Sequence, residues 1–289
     1  MGSGTRPKAY FLAFGAITLF SLEAAFARAI GPGIDLAQVG VVRAVVQLAF
    51  LWLWLGPRLG TAFATQRAAM HVGRGLLSVA GLAAYFYVFA NMPMANATVL
   101  SFAGVLVTTV AAQLVLREAV GWRRWTATIV GFAGVLVVLR AGATPFDGVL
   151  LAGIYMAANG AAINLATKGL TRTEPTQTIM AWISLTTLAV ALPVAVATSA
   201  LPTMHDMALL LGIGLAGTLG QYGVISAYRL ADVSAIAPVL YMRIVVASAI
   251  GYVAFAEIVD MPTVFGAAVV TASALYITRY EAKLARGRI

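Results

Sequence analysis

Long apolar stretches, separated by short polar breaks, follow one another along the whole chain. Each has about the 20 mainly apolar residues that a transmembrane helix requires. We place ten of them near residues 9–29, 35–55, 73–91, 94–116, 122–140, 147–168, 176–199, 206–228, 233–256 and 261–280. The connections are so short that almost nothing lies outside a membrane. The pattern therefore predicts an all-α integral membrane protein with ten transmembrane helices.

Composition excludes two other classes of protein. Of the 289 residues, 61% are hydrophobic and 10% are charged, whereas a soluble domain has about 45–50% and about 25%. The chain has too few charges to cover a soluble globule, and it is too apolar to be disordered. It has no cysteine, which excludes a disulfide framework and a Cys-ligated metal. We predict no cofactor and no metal site.

The interpretation of the net charge depends on whether the protein is soluble or lies in a membrane. A formal charge of +9 in a soluble protein would suggest a nucleic-acid partner. In a membrane protein, Lys and Arg are retained on the cytoplasmic side. With a cytoplasmic N-terminus, 15 of the 19 basic residues fall on that side, namely Arg6, Lys8, Arg58, Arg67, Arg74, Arg117, Arg123, Arg124, Lys168, Arg172, Arg229, Arg279, Lys283, Arg286 and Arg288. We predict that both termini are cytoplasmic and that the chain binds no nucleic acid.

The two halves of the chain share a pattern. An offset of 139 residues pairs Glu118 with Glu257, and each glutamate follows a long apolar stretch. This offset equals five predicted spans, an odd number, so the second copy crosses the membrane in the opposite direction. We predict two inverted five-helix repeats, residues 1–140 and 141–289, that form one integrated membrane domain. Many secondary transporters are built in this way.

These features resemble the drug/metabolite transporter superfamily, EamA type. The resemblance covers essentially the whole chain and is most specific at residues 116–122, followed by residues 131–137. Its counterpart in the second half runs over residues 237–257 and includes Pro238, where the first half departs from the pattern with Val99. The resemblance implies a multi-pass secondary transporter of the bacterial inner membrane that works by alternating access.

Within the superfamily, the chain resembles bacterial exporters of amino acids, including the aromatic amino-acid exporter. This implies a small-molecule substrate, first a bulky neutral or aromatic amino acid, and a monomer or weak homodimer in the lipid bilayer. The alternative is a multidrug exporter of cationic compounds, which the shortage of acids near the midplane disfavours. An integral-membrane enzyme is less favoured, because His71 and His205 lie in or beside loops and no cysteine is present.

Ionisable residues within the spans are functional candidates, because a buried charge is costly in a bilayer. Glu23 and Arg43 lie at similar depths and are expected to form an ion pair, either for structure or for coupling to protons. Glu23 is the one acid well inside a span, so facilitated diffusion and exchange stay open beside proton antiport. Arg243 lies near the midplane, where it can attract a substrate carboxylate. The other reading is that it bonds to helix-end carbonyls or pairs with Glu23.

Three further residues are expected to act at helix ends. Glu118 and Glu257 are expected to cap or latch neighbouring helices at two gates, and Pro238 is a candidate hinge. A second group has amide, hydroxyl and aromatic side chains within the spans, which suit a large amphipathic solute. The predicted cavity-lining residues are Tyr85, Ser101, Phe102, Tyr155, Asn159, Asn164, Trp182, Gln221, Tyr222 and Tyr241.

Overall fold

The structure is a computed structural model that describes residues 5–30, 34–116, 122–140, 147–170, 173–198, 201–230 and 239–285. These ranges contain helices α1 (Thr5–Ala29), α2 (Leu36–Leu55), a 3-10 helix (Gly56–Phe63), α3 (Ala68–Asn91), α4 (Met94–Leu116), α5 (Trp122–Val138), α6 (Gly148–Leu170), α7 (Thr176–Thr198), α8 (Met204–Leu230), α9 (Arg243–Phe255) and α10 (Met261–Ala285). None of the described residues is in a strand. The all-α fold class is confirmed.

Several helices meet the requirements for crossing a membrane. Among the described residues, five apolar helices are long enough, at Pro7–Ala29, Leu36–Phe63, Ala68–Asn91, Thr176–Thr198 and Met204–Val224. Four shorter apolar helices lie in α5, α6, α9 and α10. The number of ten spans and the cytoplasmic position of both termini stay predictions.

The third span begins earlier than predicted. We expected it to start near residue 73, because Gln66, Arg67, His71 and Arg74 make the preceding segment polar. Instead α3 begins at Ala68. His71 and Arg74 are therefore helical residues, and both side chains are buried.

The ninth predicted span, residues 233–256, is interrupted. Residues 239–241 are helical, Met242 is in a turn, and α9 begins at Arg243. Residues 231–238, which include the predicted hinge Pro238, lie outside the described ranges. Within the described part of this span, the turn at Met242 therefore interrupts the helix directly before Arg243.

The helices pack in a pattern of recurring pairs. Helix α1 packs along α8, α3 along α6, α2 along α7, and α5 along α10. Further contacts join α4 to α6, α1 to α9, α2 to α8, α3 to α7 and α4 to α9. A large apolar cluster, which includes Phe89, Met94 and Leu106, fills the space between α3, α4, α6, α9 and α10. The polar side chains discussed below lie mainly between α2, α3, α7 and α8.

Candidate functional site

A polar pocket lies between α2, α3, α7 and α8. Its volume is about 100 Å³, and we call it the central pocket. It is lined by Arg43, Ala44, Gln47, Arg74, Ser78, Leu82, Ile183, Ser184, Thr187 and Gln221. Most of these residues are polar, and all except Arg74, which lies nearer the beginning of α3, are close to the middle of their helices. A polar chamber at that depth is typical of a solute pathway, because polar groups at the centre of a bilayer otherwise lack hydrogen-bond partners.

One positive charge of the central pocket is neutralised within the protein. The Arg43 guanidinium forms an ion pair with the carboxylate of Glu23 on α1, and Glu23 is only 2% exposed. Gly217 on α8 provides the space for this pair. A Cβ atom at Gly217 would lie 2.7 Å from Glu23 Oε1 and 2.9 Å from Arg43 Cζ. Three helices thus meet at one buried ion pair. Removing either charge would leave the other unpaired in the interior, which would strongly destabilise the protein.

The second positive charge of the pocket is Arg74, which sequence reasoning placed with the cytoplasmic basic residues. The side chain is buried, its Nε donates to Thr167 Oγ1 over 2.9 Å, and its Nη1 donates to Ser78 Oγ over 3.5 Å. No ion pair of Arg74 occurs among the described residues. A signal was present in the sequence, because Arg74, Ser78 and Leu82 follow one another at a spacing of four residues and so share one helix face.

Arg243 does not line the central pocket. Its Nη2 donates to Tyr85 Oη over 2.8 Å and to the Phe20 carbonyl over 3.3 Å. The rings of Phe20, Tyr85 and Phe89 surround its Cζ, with centroids 5.6, 5.9 and 5.8 Å away. Three aromatic faces and two oxygens stabilise this cation, and no carboxylate pairs with it among the described residues. The enclosure is one turn along α1 from Glu23.

Most of the predicted aromatic and amide side chains contact other helices. Tyr222 on α8 packs edge-on against Phe50 and Trp54, with ring centroids 5.6 and 5.5 Å apart. Phe102 packs against Tyr241 at 5.0 Å. These contacts join α8 to α2 and α4 to the segment before α9. They place the three predicted residues outside the lining of the central pocket.

Two of the remaining predicted residues form hydrogen bonds within their own helices. Asn159 is buried and donates from Nδ2 to Tyr155 Oη over 3.1 Å. Ser101 donates to the Thr98 carbonyl over 2.7 Å. The side chain of Asn164 lies outside the described residues. Of the predicted cavity-lining residues that are described, Gln221 is the one that lines the central pocket.

A buried network lies toward the end of the bundle that is predicted to be cytoplasmic. His71 is only 1% exposed and lies in the first turn of α3, beside the loop that precedes this helix. Its ring stacks on Trp182 at 5.7 Å, and its Nε2 lies 3.6 Å from Glu174 Oε2. Glu174 also accepts from the Thr65 hydroxyl over 3.0 Å, and Trp182 Nε1 donates to the Phe63 carbonyl over 3.2 Å. The early start of α3 places His71 inside the bundle.

Four charged residues and the backbone N–H of Met94 lie at the opposite end, which is predicted to face outward. We call this group the outer cluster: Arg28, Met94, Arg140, Glu257 and Asp260. Glu257 Oε1 lies 2.8 Å from Arg28 Nη2, and Glu257 Oε2 accepts from the Met94 N–H over 2.8 Å at the start of α4. Arg140 pairs with Asp260. Glu257 therefore caps one helix and binds another, whereas its predicted counterpart Glu118 lies outside the described residues.

The outer cluster borders a larger cavity. This cavity has a volume of about 440 Å³ and is lined in part by Asn91, Asn96, Arg140 and Glu257. It lies between the ends of α3, α5 and α9 and the beginnings of α4, α6 and α10. The central pocket and this cavity thus lie at different levels of the bundle.

Comparison with known proteins identifies the family. Residues 7–140 match the model of the EamA-like transporter family. The S-adenosylmethionine uptake transporter of Rickettsia prowazekii is 32% identical over 77% of this chain and 76% of its own length. The riboflavin transporter of Vibrio cholerae is 28% identical over 84% of each chain. The pseudopaline exporter of Pseudomonas aeruginosa is 23% identical over 90% of this chain and 92% of its own.

The fold is also similar to a solved structure. A crystal structure matches with a TM-score of 0.64 and 20% identity, over 96% of this chain and 99% of that chain. This likeness concerns the fold alone. Together, the family match, the relatives and the apolar helices show that the chain belongs to the EamA-like transporter family of the drug/metabolite transporter superfamily, and is a multi-pass inner-membrane transporter of small metabolites.

Proposed function

We propose that the chain transports an amino-acid metabolite that carries a planar ring system, and that S-adenosylmethionine is the first compound to test. S-adenosylmethionine has an α-amino-acid head group and an adenine ring, so it shares the bulk and the aromatic ring of the amino acids that the sequence favours, but its sulfonium group makes it a cation rather than a neutral amino acid. A relative named for the uptake of this compound is 32% identical. Relatives named for riboflavin and pseudopaline indicate that the family also accepts other polar metabolites.

The central pocket carries this proposal. It offers guanidinium groups from Arg43 and Arg74, together with hydroxyl and amide side chains, between four helices. Small-molecule sites combine such convergent polar groups with apolar walls. A volume of about 100 Å³ suits a head group, since sites for whole drug-sized ligands measure about 300–1,000 Å³. The ring system would then occupy space that opens when the helices move.

The helix pairs support alternating access between two inverted repeats. The counterpart of each helix in the other repeat has a number five higher or five lower. When every helix is replaced by its counterpart, the α1–α8 contact becomes α3–α6, α2–α8 becomes α3–α7, and α1–α9 becomes α4–α6. The contacts α2–α7, α4–α9 and α5–α10 map onto themselves. The central pocket is bounded by α2, α3, α7 and α8, a set that this exchange leaves unchanged. In inverted-repeat transporters, substrates bind near the midplane at the interface of the repeats.

The repeat offset recurs within the pocket. Ala44 and Ile183 both line it and lie 139 residues apart, as do Leu82 and Gln221. These pairs support a repeat division at residues 1–140 and 141–289. We propose that the protein works as a facilitator or exchanger without altering its substrate chemically. The direction of transport then follows the concentration gradients of the substrates, so the same protein serves export or uptake.

Uptake by pure protein in proteoliposomes tests this function. We expect saturable entry of labelled S-adenosylmethionine, faster exchange when the vesicles contain unlabelled compound, and competition by methionine or tryptophan. Protein-free vesicles and an exposed-arginine variant, Arg58→Gln, are the controls. Riboflavin and a lipophilic cation complete the substrate panel. If neither S-adenosylmethionine nor any amino acid moves in either direction, the proposal is wrong; preferred transport of the cation would favour a multidrug exporter.

A further inference from the structure

We infer that Arg74 binds the carboxylate of the transported molecule. This inference deepens the proposed function and rests on it, since it names the residue of the central pocket that selects the substrate's acidic group. Arg74 lines the pocket on α3, two turns after the helix begins. The sequence pattern instead favoured Arg243 for this role.

The three interior arginines have different contacts, and these contacts indicate different roles. Arg43 is neutralised by the carboxylate of Glu23. Arg243 is surrounded by three aromatic rings and donates to a tyrosine hydroxyl and a backbone carbonyl. Arg74 contacts two neutral hydroxyls, those of Thr167 and Ser78. Among the described side chains of the central pocket, it is the cation whose charge no carboxylate balances.

The geometry of Arg74 leaves donors for a ligand. Its Nε binds Thr167 and its Nη1 makes a long bond to Ser78, while no described hydrogen bond uses Nη2. Hydroxyl groups orient the guanidinium without removing its charge. Glu174, the acid of the α6–α7 connection, contacts His71 and Thr65. A substrate carboxylate would supply the missing charge and can accept two parallel bonds from the planar guanidinium.

Two other residues of the central pocket offer acceptors for an α-ammonium group. Gln47 Nε2 and Ser184 Oγ both donate to the Met180 carbonyl, over 3.1 and 3.2 Å. One N–H of Gln47 and the Ser184 hydroxyl hydrogen are therefore occupied, whereas Gln47 Oε1 and the Ser184 hydroxyl oxygen keep lone pairs for a cationic ligand. Both residues line the pocket together with Arg74. The guanidinium of Arg74 and these acceptors match the two charges of an amino-acid head group.

Paired ligands that differ only in the carboxylate test this inference. Binding to purified protein is measured for S-adenosylmethionine and decarboxylated S-adenosylmethionine, and for methionine, tryptophan and their amides. We expect the wild type to bind each acid roughly 10- to 100-fold more tightly than its partner. In Arg74→Gln, acid and partner should bind equally, at about the wild-type affinity for the partner. Arg74→Lys, which keeps the charge but loses the planar fork, should retain part of the preference.

Two control variants accompany the ligand comparison. Arg58→Gln and Arg140→Gln, at exposed positions outside the central pocket, should keep the preference for acids, because neither changes Arg74. A preference that survives in Arg74→Gln, or one that disappears in either control variant, overturns the inference. Equal wild-type binding of every acid and its partner also overturns it. If S-adenosylmethionine is not bound but another acid shows a preference that depends on Arg74, the inference stands and the proposed substrate is wrong. Should Arg74→Gln fail to fold, Arg74→Lys with full wild-type preference overturns the inference by itself.

Discussion

The outer cluster and the central pocket use their charges differently. In the outer cluster, Arg28 pairs with Glu257 and Arg140 pairs with Asp260, so each of these charges is balanced by a residue on another segment. In the central pocket, Glu23 balances Arg43, whereas among the described residues no carboxylate pairs with Arg74, which is only 8% exposed. Balanced charges at the end of a bundle hold helices together. An unbalanced charge inside the bundle has a cost that a ligand can relieve.

This difference separates residues that control conformation from residues that bind substrate. Glu257 connects α4, through the Met94 N–H, with α1, through Arg28. Breaking these contacts should allow the outer ends of the helices to separate. Changing Arg74 should leave the helices in place and alter which molecules bind.

The largest effect is expected from Glu23→Gln. The variant leaves Arg43 as a second unbalanced guanidinium in the central pocket, so it removes the distinction between Arg43 and Arg74. Breaking a buried ion pair by removing one partner costs about 3–5 kcal/mol of unfolding free energy. We expect a clearly lower melting temperature of the purified protein in detergent.

The double variant Glu23→Gln/Arg43→Gln is the matched control. It removes both charges, so most of the lost stability should return. Equal melting temperatures for the single and double variants would show that the ion pair is not what the single change disrupts. Transport by Glu23→Gln that is still driven by a pH gradient would eliminate Glu23 as a proton-coupling residue.

An intermediate effect is expected at the outer cluster from Glu257→Gln. The amide oxygen can still accept from Met94 N–H, but the charge that binds Arg28 is lost. A hydrogen bond to a charged group contributes about 1.5–3 kcal/mol, so we expect a loss in that range. A cysteine introduced at Asn96, which lines the adjoining cavity, should also react faster with a water-soluble thiol reagent.

Arg140→Gln is the control for general charge effects at this end. Arg140 is 58% exposed and its partner Asp260 is 33% exposed, so the loss should be only about 0–1 kcal/mol. Similar losses of stability in Arg140→Gln and Glu257→Gln would contradict the role of Glu257 as a connection between helices. An unchanged reaction rate at position 96 in Glu257→Gln would contradict its role in closing the outer end.

The helical architecture could be predicted because it depends on local pattern. Apolar stretches of sufficient length predict membrane helices whatever their neighbours are, and the described helices follow those stretches. The departures occur where polar residues enter a helix. The polar residues His71 and Arg74 made the predicted beginning of α3 too late. The residues next to Met242 do not predict the turn at that position.

The site was harder to predict because it depends on how helices rotate against one another. Depth along a span can be counted, and it suggested that Glu23 and Arg43 are neighbours. Which face of a helix meets a cavity follows from packing, and packing enclosed Arg243 among Phe20, Tyr85 and Phe89. Arg74 was missed for a different reason, since a basic residue near the cytoplasmic end of a span was counted as a topology signal.

The smallest effect is expected from Ala256→Gly, which tests how the outer cluster is held in place. Ala256 ends α9 with φ +53° and ψ +29°, in the left-handed region, and this turn directs Glu257 toward Met94. A left-handed conformation costs a residue with a Cβ atom about 1–2 kcal/mol, and the greater freedom of glycine in the unfolded chain offsets part of the gain. We expect a stabilisation of about 0.5–1 kcal/mol, seen as a slightly higher melting temperature. Ala249→Gly, the same substitution in the middle of α9, should instead destabilise by about 1 kcal/mol. If both variants lose stability, the left-handed turn is not strained, and the position of Glu257 would then depend on its ion pair with Arg28 and its bond to Met94.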